Sequence, residues 1–586
     1  MAQRNPTVTA TDATAAGTEE LSSPSAVDLS AAINALNQAA QALTTTATQM
    51  MQMMHTLTSS LSVGQPPPTR DALATQINTW EDDPFSEAVP TQNPPLATPL
   101  LVTAPGNANQ LLQTHILDPL PASGQFPPGT PNFRFWMVTE ALARGINFWT
   151  PLLPAGTRWS TVNPMHVTLD AGEDLNAFYS RDDDGLFFFH QAVKNRTVFS
   201  ADSPDVVCHE LGHAILDALK PQLFDAASTQ VAAFHEAFGD MSSILCALQL
   251  PSERQKVLTE TQGRLNVTSR LSRLAEQLGW AIRQLAPTAV DPDCLRNAAN
   301  RFFFRRPSQL PPQAPASQLS SEVHSFSRVF TGAFLDALAG MLQVLGPANE
   351  ANLLTASRTL GQLLVDGVHT ASVTSAYYSQ VAAAVIQADQ ARNQGRYRTA
   401  LSNAFRQRGI LSIAATAALA SAPVPQREVA PAGMVTMAGL PGVGGFSGQA
   451  SGTQTRLTYN GQEDDGYRRG PENAPALPTQ TITTDFGMTL LVHAPAEPAR
   501  FSVVPAALRG ASAEPSTPDE AARAFVEDLI QLDRLDLRAV YGRVSPELIA
   551  PPDGRSRSRK THEVRETQEG PVLKRLHFDC GIHSRR

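Results

Sequence analysis

Residues 203–221, SPDVVCHELGHAILDALKP, carry the pattern H-E-L-G-H at His209–His213. Ser203 and Pro204 supply an N-cap and a first helical residue, and Pro221 closes the run. The spacing therefore predicts a helix over 204–220. On a helix, positions i and i+4 share a face, which sets His209 and His213 one turn apart with Glu210 beside the first. Two imidazoles so placed suit one Zn²⁺, and Glu210 can reach a water there without being a ligand. A catalytic zinc takes three protein ligands and keeps one position open, so a third ligand must come from elsewhere.

The following stretch, STQVAAFHEAFGDMSSILCALQL (228–250), reads as a second helix opened by Ser228, with Val231, Phe238, Leu245 and Leu248 toward the core. Glu236 and Asp240 lie four apart on one face. Glu236 is the candidate third ligand, and Asp240 the candidate acceptor for the free ring N–H of a zinc histidine. His235 competes as a ligand, but it points about 100° away from Glu236 around the helix.

Outward from these helices, the chain divides by composition. Its 586 residues exceed one ordinary core. Residues 1–26 lack periodicity and read as a disordered tail. Leu29, Ile33, Leu36, Ala40, Leu43, Ala47, Met50, Met54, Leu57 and Leu61 form a heptad seam over 27–63. That seam either lies on the chain's own body or serves self-association or docking of a partner helix. Residues 64–132 form a proline-rich linker or wrap. The segments NFRFWMV, LNAFYS and GLFFFH, with RDDDG between the last two, read as strands and a hairpin. From 204 to about 412 the pattern is mainly helical. A Gly/Ala/Pro-rich linker spans 413–452, and an extension without an evident role spans 453–586. In the extension, TQTITTDFGMTLLVHA suggests strands and Thr517, Pro518 and Glu520 form a capping box.

The net charge of -9 and pI near 5.8 argue against a nucleic-acid partner. The N-terminus lacks the apolar core of a Sec signal peptide, and no run of 18 apolar residues suggests a transmembrane segment. The four scattered cysteines, Cys208, Cys246, Cys294 and Cys580, fit reduced thiols. Together these features point to a cytoplasmic protein, or to one exported without a Sec signal.

H-E-L-G-H followed by H-E-A-F-G-D resembles the glutamate-ligand zinc peptidases, in particular the thermolysin-like family. LNAFYSRDDDGLFFFH before the zinc helix resembles the family's edge strand and hairpin. DPDCLRNAANRF resembles its arginine-bearing segment, and SSEVHSFSRVFTGAFLDAL its catalytic-histidine segment. The resemblance covers about 133–412. It implies an α+β, zincin-type metalloprotease domain with a β-rich N-terminal lobe and a mainly α-helical C-terminal lobe. The heptad helix and the C-terminal extension stand outside it.

Carried over by position, the resemblance makes His209, His213 and Glu236 the ligands of one zinc per chain and Glu210 the general base. His324 becomes the oxyanion-stabilising histidine. Asn176 and Ala177 become the edge-strand pair that holds a peptide or protein substrate, Arg296 the grip on the carbonyl beyond the scissile bond, and Val206 with Leu295 the pocket lining. The implied activity is endopeptidase cleavage before bulky hydrophobic residues.

Three positions depart from the family. Phe224 stands near the place of a phenol donor. Leu319 falls near the acid that orients the catalytic histidine, with Glu322 as a substitute. Asp205 sits where a calcium ligand would, but no acidic cluster after Asp240 completes that site, so calcium is not expected. The alternative is a zincin-fold protein with weak or no turnover, acting in peptide binding, assembly or export through its heptad segment.

Overall fold

The computed structural model describes residues 76–87, 96–103, 106–107, 109–421, 458–459, 462–463, 477–495, 517–537 and 560–581. The tail over 1–26, the heptad segment over 27–63 and most of the linker over 413–452 lie outside the described residues.

The proline-rich stretch packs as a wrap. Its strand β1 (Gln76–Thr79) pairs antiparallel with β2 (Leu100–Thr103), and Ile77, Trp80 and Leu112 enter the main core. It also carries acids inward. Asp82 and Asp83 are buried facing Asp205 and Glu276. Asp205 thus has acidic neighbours from upstream (Asp82 and Asp83) and from downstream (Glu276), where the sequence showed no acidic cluster after Asp240.

Asp83 Oδ1 accepts the backbone N–H groups of Phe85 and Gln277, both at 2.9 Å. Burial, aided by Asp82, still pushes its carboxyl from 3.8 up to about 7. The folded chain then keeps a proton that the unfolded chain has lost. This contribution to stability is complete below pH ~4 and falls as pH rises through ~7, by at most about 4 kcal/mol. Asp83→Asn keeps the acceptor and should raise the thermal midpoint at pH 8 while leaving it unchanged near pH 4. Equal midpoints at pH 8 would exclude the buried charge as the cause.

The segment NFRFWMV differs from its sequence reading. It begins helix α1 (Pro131–Trp149), where Thr130 accepts the N–H of Phe133 and Pro131 takes the first turn. Phe133, Trp136, Met137, Val138, Ala141 and Leu142 are all buried. A helix covered on nearly every side has no polar face, so the period that separates helix from strand is lost. The hairpin, by contrast, forms as read. β3 (Thr114–Ile116) and β4 (Met165–Thr168) pair parallel, β5 (Ala177–Ser180) pairs antiparallel with β6 (Gly185–Phe188), and β6 joins β4 in parallel. β7 (His190–Val193) and β8 (Arg196–Phe199) make a second hairpin.

Helix α2 (Pro204–Leu219) and helix α3 (Thr229–Ala247) follow, both wholly buried. Ser203 and Ser228 occupy their N-cap positions without a side-chain cap bond. The two helices cross where Gly212 meets Gly239. A Cβ on Gly212 would lie 2.9 Å from Gly239 Cα, and one on Gly239 would lie 2.6 Å from the His209 ring. Side chains at either position would drive the helices apart and displace His209.

Helices α4 (Pro251–Thr261) and α5 (Glu276–Leu285) lead to a short pair, β9 (Arg273–Leu274) with β10 (Arg296–Asn297). Helix α6 (Val323–Leu345) is long and apolar enough to cross a membrane by length and composition. It is mostly buried inside the protein, which accounts for its apolar character. Helices α7 (Glu350–Thr370), α8 (Tyr377–Asn393), α9 (Arg398–Gln407) and α10 (Ile413–Ser421) complete this part. The helical run therefore reaches Ser421, nine residues into the stretch read as linker from 413 to 421.

After a short pair, β11 (Thr458–Tyr459) with β12 (Gln462–Glu463), the extension forms a sheet of its own. β13 (Thr479–Thr483) and β14 (Thr489–His493) are the strands read from TQTITTDFGMTLLVHA. They join β15 (Leu535–Asp536), β16 (His562–Thr567) and β17 (Gly570–Arg575) in the order β13-β14-β17-β16-β15. Helix α11 (Pro518–Gln531) opens with the expected Thr517/Glu520 capping box and packs Ala522, Phe525, Val526 and Leu529 on this sheet. Ala227, just before α3, and Ala232, near its start, share that core. One further strand, β18 (Phe578–Asp579), leaves the sheet and adds to β5. The earlier sheet then runs β18-β5-β6-β4-β3.

Candidate metal centre and peptide cleft

The i, i+4 pair on α2 and the carboxylate on α3 meet. His209 Nε2 lies 3.4 Å and His213 Nε2 3.7 Å from Glu236 Oε2. All three residues are buried, and none of these three atoms has a hydrogen-bond partner. Ligands ~2.0–2.1 Å from one zinc ion in a tetrahedron stand roughly 3.3 Å from each other, so the spacing fits a shared cation. Leaving three buried polar atoms unpaired costs ~1–3 kcal/mol each, which a bound ion would offset. Glu210 joins His209 and His213 with ligand-type atoms within 4.8 Å of one another, and both of its carboxylate oxygens lack partners.

The outer faces of the histidines are held. Asp240 Oδ1 lies 3.1 Å from His209 Nδ1, as the second helix predicted. His213 Nδ1 meets His235 Nδ1 at 2.9 Å. His235 therefore meets the outer face of His213 and lies turned away from Glu236 by its position on α3. Sequence spacing gave no sign of this pairing.

Charges follow the burial. Desolvation pushes the Glu210 carboxyl well above the usual range, with Cys580 adding to the shift against His209. Burial, followed by the neighbouring His209, holds His213 well below the ordinary imidazole value. Burial would raise Asp240, but the Arg296 guanidinium and His209 hold it well below the carboxylate range.

His324, on the first turn of α6, faces the same centre, with Nε2 3.4 Å from Glu236 Oε2. Glu322 accepts from His324 Nδ1 at 2.6 Å and also caps α6 through the N–H of Ser325. The substitute acid thus reaches the histidine, while Leu319 packs against the core. Burial lowers the His324 pKa, but Glu236 and Glu322 outweigh it and raise the imidazole to about 9.

Arg296, on β10, makes a buried ion pair with Asp240 at 2.9 Å. Leu295 lines a cavity with Arg296, Glu322, His324 and Arg534. Val206 is fully buried in the main core and does not line that cavity. Phe224 is also a packing residue. Its ring meets Tyr179 at 6.1 Å and Phe578 at 5.5 Å and lies under the Arg181 guanidinium. The Tyr179 hydroxyl is committed to Asp217 at 2.7 Å.

Asn176 and Ala177 sit at the edge of β5, beside the centre. Asn176 Oδ1 accepts the N–H of Ala177 and that of Gly581, and Ala177 O accepts the N–H of Cys580 at 2.8 Å. Phe578–Gly581 and Arg534 are the parts of this region that the sequence reading missed. The short apolar-polar alternation in HFDCG was the available signal, but it is too brief to identify a strand. Compared with known proteins, the chain matches no family model and no curated protein sequence.

Proposed function

We propose that the chain is a zinc-dependent metalloendopeptidase of zincin type, cleaving peptide bonds before bulky hydrophobic residues. The observation that supports this reading best is the meeting of His209 Nε2, His213 Nε2 and Glu236 Oε2, all buried without partners, beside the unpartnered Glu210 carboxylate. His209, His213 and Glu236 would hold the ion. Zinc at such a centre lowers the pKa of water and polarises a substrate carbonyl.

The chain's own groups supply the rest. Glu210 accepts the proton of the attacking water and passes it to the leaving amine nitrogen. His324 donates through Nε2 to the carbonyl oxygen as negative charge grows there, with Glu322 fixing its ring. Asn176 and Ala177 hold the substrate backbone by strand addition, and Arg296 grips the next carbonyl. Phe224 offers no donor, so His324 is the one side chain assigned to the oxyanion. Each missing donor typically costs ~10²–10³ in rate.

Metal analysis of the purified protein should find one zinc per chain, and His213→Ala should lose it while keeping its far-UV circular dichroism. Full zinc occupancy in a folded His213→Ala protein would sink the assignment.

A further inference from the structure

The peptide-binding edge of β5 is covered by the chain's own C-terminal segment. β18 runs antiparallel to β5 with Phe578 opposite Tyr179 and Asp579 opposite Phe178. The N–H of Cys580 donates to Ala177 O and that of Gly581 to Asn176 Oδ1, each at 2.8 Å. His324 Nε2 donates to the carbonyl of Asp579, and Arg296 Nη1 to the carbonyl of Cys580 at 3.4 Å. The Asp579–Cys580 peptide bond therefore lies between the histidine and the arginine that flank the metal centre. Strand addition with alternating backbone contacts is how an extended peptide binds an open sheet edge.

Side chains complete the fit. The Phe578 ring stacks on His235 at 3.8 Å and on His213 at 5.0 Å. The Cys580 sulfur lies 3.9 Å from Arg296 Nη2 and adjoins His209 and Glu210, so the Glu210 carboxylate faces the Cys580 side chain rather than solvent. The segment is anchored from behind. Arg534 pairs with Asp579 at 3.0 Å, and Arg575 Nε donates to Phe224 O at 2.7 Å.

We propose that Phe578–Gly581 is the cleft's built-in ligand, an intramolecular inhibitor that binds in the register of a substrate and keeps other peptides out. The inhibitory half of this claim rests on the peptidase reading; the occupancy does not. The contacts of Arg534 with Asp579 and of Asn176 with Gly581 hold the segment on either side of Cys580. The Cys580 side chain is small where a bulky one is expected, so the proposal expects the segment to be cleaved slowly or not at all.

Gly581 offers the most direct test. A Cβ there would lie 2.7 Å from Asn176 Oδ1 and 2.8 Å from Leu175 O. Gly581→Pro adds that clash and removes the donated N–H, so it should release the strand. The full-length wild type, Gly581→Pro, and a chain ending at His577 would each be assayed for Cys580 labelling by a maleimide (with Cys580→Ser as control), casein hydrolysis and intact mass. A synthetic peptide of residues 577–586 would be titrated into the shortened chain by calorimetry.

The proposal expects slow labelling of the wild type and labelling at least ~10-fold faster in Gly581→Pro. It also expects casein hydrolysis at least ~10-fold faster in both variants, and peptide binding that restores the inhibition. Rapid Cys580 labelling in the wild type, or no peptide binding to a folded shortened chain, would overturn the occupancy. Equal hydrolysis by all three chains would overturn the inhibition and leave the peptidase standing. Peptide binding with no hydrolysis by any chain would support the occupancy and discard the peptidase. A wild-type mass ending at Asp579 would show a substrate in place of an inhibitor.

Discussion

With the C-terminal strand released, Glu210→Gln should lower casein hydrolysis by ~10³-fold while the chain still binds zinc. Glu210 lies fully buried between the two α2 histidines, and both of its oxygens lack partners. Glutamine keeps the volume and one acceptor but cannot take a proton from water. General-base catalysis contributes ~10²–10⁴, so the loss falls within that range. Folding should not suffer. Desolvation already disfavours the charged form of the Glu210 carboxyl, so a neutral amide of the same size adds no burial cost. A thermal midpoint no lower than that of wild type would separate lost chemistry from lost structure. Hydrolysis within tenfold of the parent in a zinc-loaded Glu210→Gln chain would remove Glu210 from the mechanism.

The largest expected stability effect belongs to Arg296. Its guanidinium is 3% exposed and pairs with Asp240, which is 1% exposed and also contacts His209. Arg296→Met keeps much of the apolar stem but leaves Asp240 as a buried carboxylate without its main cation. Breaking such a pair from one side costs ~3–5 kcal/mol, because the remaining charge stays desolvated. The pH dependence has a definite sign. Asp240 is held well below 3.8 in the folded protein, so its contribution is present above pH ~4 and is lost as pH falls further. The deficit of Arg296→Met should therefore be full at pH 7 and shrink under acid. Adding Asp240→Asn should recover part of it, since neither charge then remains. Urea unfolding of the two single variants and the double variant measures this coupling. Strict additivity would mean that the pair contributes nothing beyond its separate groups.

The candidate metal centre was legible because its parts are local. The i, i+4 histidines share one helix, and a carboxylate and its second acid share the next. Caps at Ser203/Pro204 and at Thr517/Glu520 marked where helices begin. The hairpin around Asp182–Gly185 was legible because its turn residues sit between two apolar runs. Other parts were hidden by burial or by distance. Helix α1 is packed on nearly all sides, so its aromatic residues mimicked strand alternation. Asp82 and Asp83, which face Asp205, arrive in a stretch read as a linker or wrap, whose composition gave no sign that it carries acids inward. Val206 has the right chemistry for a pocket, but its place on the first turn of α2 sends it into the core. Glu322 could be weighed but not placed, since its bond to His324 depends on the loop that caps α6. The strand over the cleft depends on a pairing that no local pattern encodes.

The β5–β18 pairing also sets an order of events during synthesis. Asn176 and Gly581 are 405 positions apart. At ~5–20 residues per second, a ribosome needs roughly 20–80 s to cover that distance. For most of that interval the hairpin and the two helices of the candidate site have emerged, while one sheet border still has open backbone donors and acceptors. Such a border is a template for any extended chain nearby. The nascent protein is thus open to unwanted pairing along this border until Phe578–Gly581 arrives to cover it.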